Sequence, residues 1–226
     1  TAAMPGFRRY AVFFVPTGAL YDRAAEWLGW DSVAGVALPP PEPRLVDRPR
    51  KYGFHATLKP PFRLAEGSRE ADLRDTLARI APATAPIDLP ALTVTALGRF
   101  LALTPSAPCP AMQRLAAQVV MDLDRFRAPL RRDELARRRK SRLSPRQEDH
   151  LARWGYPFVL DQFRFHMTLT GPVPQGQVET LHQNLADHFA DVLDRPERIA
   201  DLALMGEDAE GFFHLLRRVP LTGQPR

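Results

Sequence analysis

A chain of 226 residues, 45% hydrophobic and 25% charged, can bury a core as one large domain or two intimate lobes. It has no run of about 18 apolar residues, which excludes a membrane-spanning helix. Its single cysteine, Cys109, excludes an internal disulfide and a cysteine-cluster metal site. A net charge of +5 leans toward anionic partners such as phosphate esters or RNA, although a composition rich in Arg, Ala, Pro and Leu, with Lys only at 51, 59 and 140, carries such charge without any binding role.

In chain order, the opening TAAMPGFRRY contains no apolar leader-like stretch, so a cytoplasmic protein is expected. Residues 10–15 read as a strand ended by Pro16. Thr17 can cap a helix with Leu20, Ala24, Trp27 and Leu28 at helical spacing. The proline-rich residues 37–50 predict a loop. A strand follows over 54–58, closed by Pro60-Pro61. Ser68 then caps a helix with Leu73, Leu77 and Ile80 on one face. Residues 87–104 read as strands turning near Gly98, and 111–127 as a helix striped by Leu115, Val119 and Leu123. Residues 128–157 form a basic connector, in which Ser144-Pro145-Arg146-Gln147 is a capping-box helix start. A second strand spans 163–169. A helix with Val178, Leu181, Leu185, Phe189 and Val192 follows, and a hairpin about Gly211 closes the chain.

Two of these strands share a motif. Phe54-His55-Ala56-Thr57-Leu58 returns as Phe165-His166-Met167-Thr168-Leu169, 111 residues later, with Pro61 and Pro172 at the same distance beyond each. Phe100-Leu101-Ala102-Leu103 matches Phe212-Phe213-His214-Leu215 at an offset of 112. This near-constant spacing indicates a duplicated strand–helix–hairpin unit. The expected fold is α+β: a bilobed pseudo-twofold duplication with antiparallel sheets forming a central cleft and helices outside. Residues 1–226 make one domain, with approximate lobes at 1–127 and 158–226 and a basic helical connector at 128–157.

Strand alternation gives the motif its chemistry. Phe54, Ala56 and Leu58 share an apolar face, as do Phe163, Phe165, Met167 and Leu169. Lys51, Gly53, His55, Thr57 and Lys59 share the opposite face of the first strand; Arg164, His166, Thr168 and Thr170 that of the second. Two histidines meeting across a cleft can act as general base and general acid on a phosphodiester. The threonine hydroxyls can donate to its non-bridging oxygens, with Lys51, Lys59 and Arg164 as candidate phosphate or substrate contacts. Two histidines with no third ligand at useful spacing fall short of a catalytic zinc site, so no metal or other cofactor is expected.

At His55-Ala56-Thr57-Leu58 and His166-Met167-Thr168-Leu169 the sequence resembles the 2H phosphoesterase superfamily, whose RNA-ligase-like members and cyclic phosphodiesterases are bilobed α+β proteins. More narrowly, Arg9-Tyr10-Ala11, residues 51–61, Trp154-Gly155-Tyr156-Pro157 and Phe163-Arg164-Phe165-His166 are similar to one bacterial branch associated with phosphonate metabolism. The resemblance implies that His55 and His166 are the catalytic pair, His55 as acid and His166 as base. It implies that Thr57 and Thr168 bind phosphate, and that the substrate is a cyclic phosphate of a nucleotide, ribose or similar small sugar. The other readings are a nucleotide- or RNA-end-binding module without turnover and an RNA end-processing, ligase-like enzyme, for which residues 131–146 would supply a basic track. The partner expected first is a small phosphorylated substrate, with RNA second, no membrane, and a monomer sufficing. His150, His182, His188, His214 and Cys109 have ordinary helix, strand or loop settings.

Overall fold

The apolar run at residues 10–15 supplies a strand that is paired on both sides. In the computed structural model, which describes residues 6–225, β1 (Arg9–Phe14) leads into α1 (Ala19–Leu28), a ribbon of β2 (Trp30–Asp31) and β3 (Val36–Ala37), and the one-turn α2 (Pro43–Val46). The first motif enters β4 (Ala56–Phe62), followed by α3 (Glu70–Ile80), β5 (Ile87–Asp88) and the hairpin β6 (Leu92–Leu97) and β7 (Phe100–Pro105). Helices α4 (Pro110–Leu123), α5 (Arg132–Arg138) and α6 (Pro145–Trp154) then lead to the second motif at β8 (Met167–Thr168). After α7 (Val178–Leu193) and β9 (Arg198–Ile199), the hairpin β10 (Asp201–Glu207) and β11 (Phe213–Pro220) ends the fold. Residues 1–5 of the opening segment lie outside the described residues.

The architecture is α+β with antiparallel pairing. Seven strands form one sheet in the order β11-β10-β1-β4-β8-β7-β6. The two motif strands lie side by side at its centre, joined through the pair Ala56↔Met167. The segments expected as lobes are interleaved. The hairpin β6–β7, from the first half of the chain, continues the sheet beyond β8, while β10–β11, from the second half, continues it beyond β1. The hairpins turn at Gly98 and Gly211, both with positive φ. They dock by different strands, β7 beside β8 but β10 beside β1. Ala56, Met167, Leu101, Leu103 and Phe14 line the buried face of the sheet, each at most 3% exposed. Helix α4 packs against β4, α3 against β10 and β11, and α7 against β6 and β7. No helix among the described residues is long and apolar enough to cross a membrane.

Local signals succeed where a side chain has one available partner. Ser144 Oγ accepts from Gln147 N at 3.2 Å while Gln147 Oε1 accepts from Ser144 N at 3.0 Å, the reciprocal box expected at the start of α6. Elsewhere the caps differ. Helix α3 begins after Arg69, whose N–H donates to Asp72 at 2.7 Å, so Ser68 is not its cap. Helix α1 follows Gly18 with no side-chain cap, so Thr17 has no such role. The prolines of residues 37–50 do not keep that segment irregular: Pro43 opens α2 and Pro49 opens a 3-10 turn over Pro49–Tyr52. Proline is well suited to the first helical position, where its missing N–H costs nothing.

One expected site residue is displaced by the sheet itself. β4 does not stop at Pro60-Pro61 but runs on to Phe62 through two register shifts against β1. Neither proline can donate to the ladder, and proline inside a sheet is confined to edges and bulges. Phe13 pairs with Thr57, but Val12 pairs with Lys59, which leaves one extra residue on β4. That bulge reverses the alternation. Lys59 therefore points away from His55 and Thr57, is 1% exposed, and donates to Val120 O at 3.2 Å near Asp124 at 3.5 Å. It does not share a face with the motif residues, although alternation predicts that it should. Burial pushes its ammonium down from 10.5 to about 8, opposed by Asp124. Between those values the unfolded chain binds more protons than the folded one, so stability rises with pH from about 8 to 10.5. Lys59→Met leaves Asp124 paired to Arg127 at 2.8 Å. In thermal melts the variant should keep or exceed the parent midpoint at pH 7 by about 2–4 °C and lose the rise above pH 8. A collapse of several times that size at pH 7 would mean the ammonium is needed for folding.

Candidate active site

The pairing Ala56↔Met167 fixes the geometry of both motifs. One antiparallel step either way sets His55 opposite Thr168 and Thr57 opposite His166. Because Ala56 and Met167 point into the core at 0% exposure, all four neighbours project from the other face, and all four are half-buried. Directly opposite side chains in such a ladder have Cβ atoms about 5 Å apart, and diagonal ones about 7–8 Å. The histidines occupy one diagonal and the threonines the other. A group held over this ladder would have an imidazole on either side.

Hydrogen bonds set the same tautomer in both rings. His55 Nδ1 lies 3.0 Å from Gly53 O, and His166 Nδ1 lies 2.8 Å from Arg164 O. A carbonyl oxygen only accepts, so Nδ1 carries the proton in each case and the neutral ring keeps its lone pair on Nε2. At His55 that lone pair accepts from the Thr57 hydroxyl at 3.0 Å. Gly53 is required here. Its φ is +72°, and a Cβ at this position would stand 2.8 Å from Ser32 Cβ, so only glycine lets the chain turn its carbonyl under the imidazole.

The two histidines differ in their walls. Phe13 stands beside Thr57, and its ring stacks on His55 at 3.8 Å and 26°. Tyr52 lies on the same imidazole at 5.9 Å and 18°, and Phe213 backs Tyr52 at 5.1 Å. At the matching position beside Thr168 stands Ala102, and the nearest aromatic ring to His166 is Phe100, tilted at 6.1 Å. Desolvation by this apolar stack pushes His55 down to about 4, with His166 adding like-charge opposition and the Gly53 carbonyl resisting.

The remaining expected contacts divide. Lys51 is exposed at the rim, donating to Glu210 O at 3.0 Å beside the Phe212 ring. Arg164 is exposed, and its backbone carbonyl is what orients His166. Thr170 is fully buried and binds backbone at Leu101 and Gly171, so the polar face of the second motif ends at Thr168. His150 pairs with Asp161 at 2.6 Å, His214 with Asp208 at 2.7 Å, and His182 with Val94 O at 2.8 Å. Cys109 sits at the start of α4. Among the described residues no three His, Cys, Asp or Glu side chains cluster as metal ligands. Alternation alone did not single out Phe13 and Tyr52. Phe13 belongs to another strand, and Tyr52 reaches His55 through the 3-10 turn, which follows no two-residue period.

Known proteins are similar to this chain in sequence. The family model described as "Protein of unknown function (DUF1045)" matches residues 57–214. A curated protein of Janthinobacterium sp. (strain Marseille), named ribose 1,5-bisphosphate phosphokinase PhnN, is 36% identical over 96% of this chain and 51% of its own length. One of the same name from Laribacter hongkongensis is 34% identical over 93% of this chain and 51% of its own. This chain thus spans about half the length of the curated relatives it matches. Among solved structures, E. coli LigT complexed with NADP+ has a TM-score of 0.47 at 14% identity, covering 96% of this chain and 99% of that one. TT0787 of Thermus thermophilus has a TM-score of 0.48 at 16% identity, covering 96% and 100%. With more than half of its residues under the family model, the chain belongs to the DUF1045 family.

Proposed function

We propose that the protein is a phosphoesterase that opens a cyclic phosphodiester of a small sugar or nucleotide to a monoester, by two-histidine acid–base catalysis that needs no metal. The observation that carries this reading is the ring of His55, Thr168, His166 and Thr57 on one face of the sheet, with both Nδ1 atoms tied to backbone carbonyls, so that Nε2 is the nitrogen each ring has for proton exchange, that of His55 once the Thr57 hydroxyl turns from it to the phosphate. His55 Nε2 takes a proton from water. The water oxygen bonds to phosphorus, and the threonine hydroxyls donate to the non-bridging oxygens as charge builds there. The bond from phosphorus to the ring oxygen breaks, and that oxygen keeps the electron pair and receives the Nε2 proton of His166, whose ring enters this step protonated on both nitrogens.

This order reverses the roles that the resemblance implies. A ring held near 4 is neutral at pH 7 and ready to accept a proton, not to give one. The name of the curated relatives, which mentions ribose 1,5-bisphosphate, supports a ribose phosphate as the substrate class and, with it, a place in phosphonate metabolism. A long RNA is less favoured, because three cations of the basic segment are already paired: Arg137 with Asp133, Arg139 with Glu148, and Arg146 with Asp161. Both histidines come from one chain, so a monomer is sufficient.

His55→Ala and His166→Ala should each lower kcat by about 10²–10⁴-fold on nucleoside or ribose cyclic phosphates, followed by phosphorus NMR with chelator present. Turnover that survives both substitutions, or that stops with chelator alone, would discard the mechanism. Tight nucleotide binding with no turnover would leave a binding module. The role assignment has its own test. With His55 as base, kcat/KM should fall as the pH drops through about 4, where the desolvated His55 ring takes up its proton. A rate that keeps rising as the pH falls through that value would restore His55 as the acid. An aryl phosphodiester, whose leaving group needs no proton, should recover most of the loss in His166→Ala and none in His55→Ala.

A further inference from the structure

Residues of the connector, with Tyr52, line a hollow of about 320 Å³. Its walls include Tyr52, Arg9, Arg138, Tyr156 and Phe158. Tyr52 is thus shared, its ring 5.9 Å from the His55 imidazole and also lining this hollow. Most of the charge here is already matched. Arg9 holds Glu207 through two bonds of 2.5 and 2.6 Å. Glu134 accepts from Arg63 at 3.1 Å and from the Arg131 backbone at 2.7 Å, and Arg137 faces Asp133 at 3.9 Å.

Arg138 is the exception. It takes part in none of the ion pairs among the described residues, and its Nε is buried with no hydrogen-bond partner. Its guanidinium lies over the Tyr156 ring at 4.7 Å. A buried donor without an acceptor is costly, and more so on a charged group. An anion in the hollow would lie against this guanidinium, which lines it, and match its charge. Burial lowers the pKa of Arg138, and Arg9 adds to that effect; the side chain nevertheless remains a cation at neutral pH. Guanidinium is also the group best matched to phosphate oxygens.

We infer that Arg138, with Arg9 and the Tyr52 and Tyr156 rings, forms a second anion subsite that takes a phosphomonoester at the far end of the substrate while the cyclic phosphate sits among the histidines and threonines. The inference rests on the phosphoesterase reading and narrows it. The substrate class becomes a small sugar with a cyclic phosphodiester at one end and a monoester at the other. Phe158, 45% exposed and set edge-on to Tyr156 at 5.8 Å, stands at the mouth.

The test compares two pentose cyclic phosphates, one with and one without a distal phosphomonoester, on wild type and Arg138→Gln. The variant should lose about 10- to 100-fold in kcat/KM on the doubly phosphorylated ester, mainly through KM, and keep the wild-type rate on the other. That unchanged rate also certifies folding. Arg138→Lys should recover part of the loss. An equal effect on both esters would make Arg138 structural, and no effect on either would remove the subsite. Titration calorimetry with ribose 5-phosphate separates this inference from its premise. If neither ester turns over but ribose 5-phosphate binds wild type and not Arg138→Gln, the subsite stands and the phosphoesterase reading falls. If the esters turn over and Arg138→Gln binds ribose 5-phosphate as wild type does, the reading stands and the subsite falls.

Discussion

One cross-strand pair carries the arrangement: Ala56 opposite Met167. It is the join between the two halves of the seven-stranded sheet, and it decides which residues face which. Because side chains alternate along a strand, a slip of one residue at this pair would bury the histidines and expose the core. What holds the register is that Ala56 and Met167 are fully buried, as are Phe54 and Leu58 on one strand and Leu169 on the other. Burying side chains of that kind is worth about 1.5–3 kcal/mol each. The four polar residues are therefore placed by the apolar ones between them, and need no bonds to one another to stay in position.

Topology makes that join strong. If each half kept its own hairpin, the halves would be separable units meeting at a short edge, since β8 is only two residues long. Instead the hairpin that follows α3 lies beyond β8, and the hairpin that follows α7 lies beyond β1. Separating the motifs would require the connections to both hairpins to give way as well. A site made of two strands from distant parts of the sequence is thereby held as rigidly as the sheet.

Much of this was legible in the sequence, and the limits have identifiable causes. The repeated motif, its two-residue period and the turns at Gly98 and Gly211 were readable because each depends on local pattern. The exchange of hairpins was not, because a repeat gives the order of elements and not their neighbours. Lys59 was misplaced because alternation assumes an unbroken ladder. Pro60 and Pro61 warned of a break, but a proline pair equally signals a strand end, and the bulge that turns Lys59 falls before it, at Leu58. Tyr52 and Arg138 were out of reach for a different reason. Their importance lies in what they touch, and one sits in a 3-10 turn while the other ends a helix of the connector.

The duplication alone poses a problem that the surrounding residues resolve. Two copies of one motif give two histidines with the same tautomer and the same threonine neighbour, yet acid–base chemistry needs one ring that accepts a proton and one that gives it. The difference comes from the residue opposite each threonine. Beside Thr57 it is Phe13, whose ring covers His55; beside Thr168 it is Ala102, which covers nothing. Tyr52 and Phe213 deepen the apolar side, and no such stack lies on His166. A phenylalanine in place of an alanine at one cross-strand position is enough to desolvate one imidazole. The symmetric scaffold then holds one histidine pressed toward its neutral form by an apolar stack. Tyr52, which belongs to that stack, also lines the hollow around Arg138, so the asymmetry that assigns the proton transfers also gives the substrate a direction.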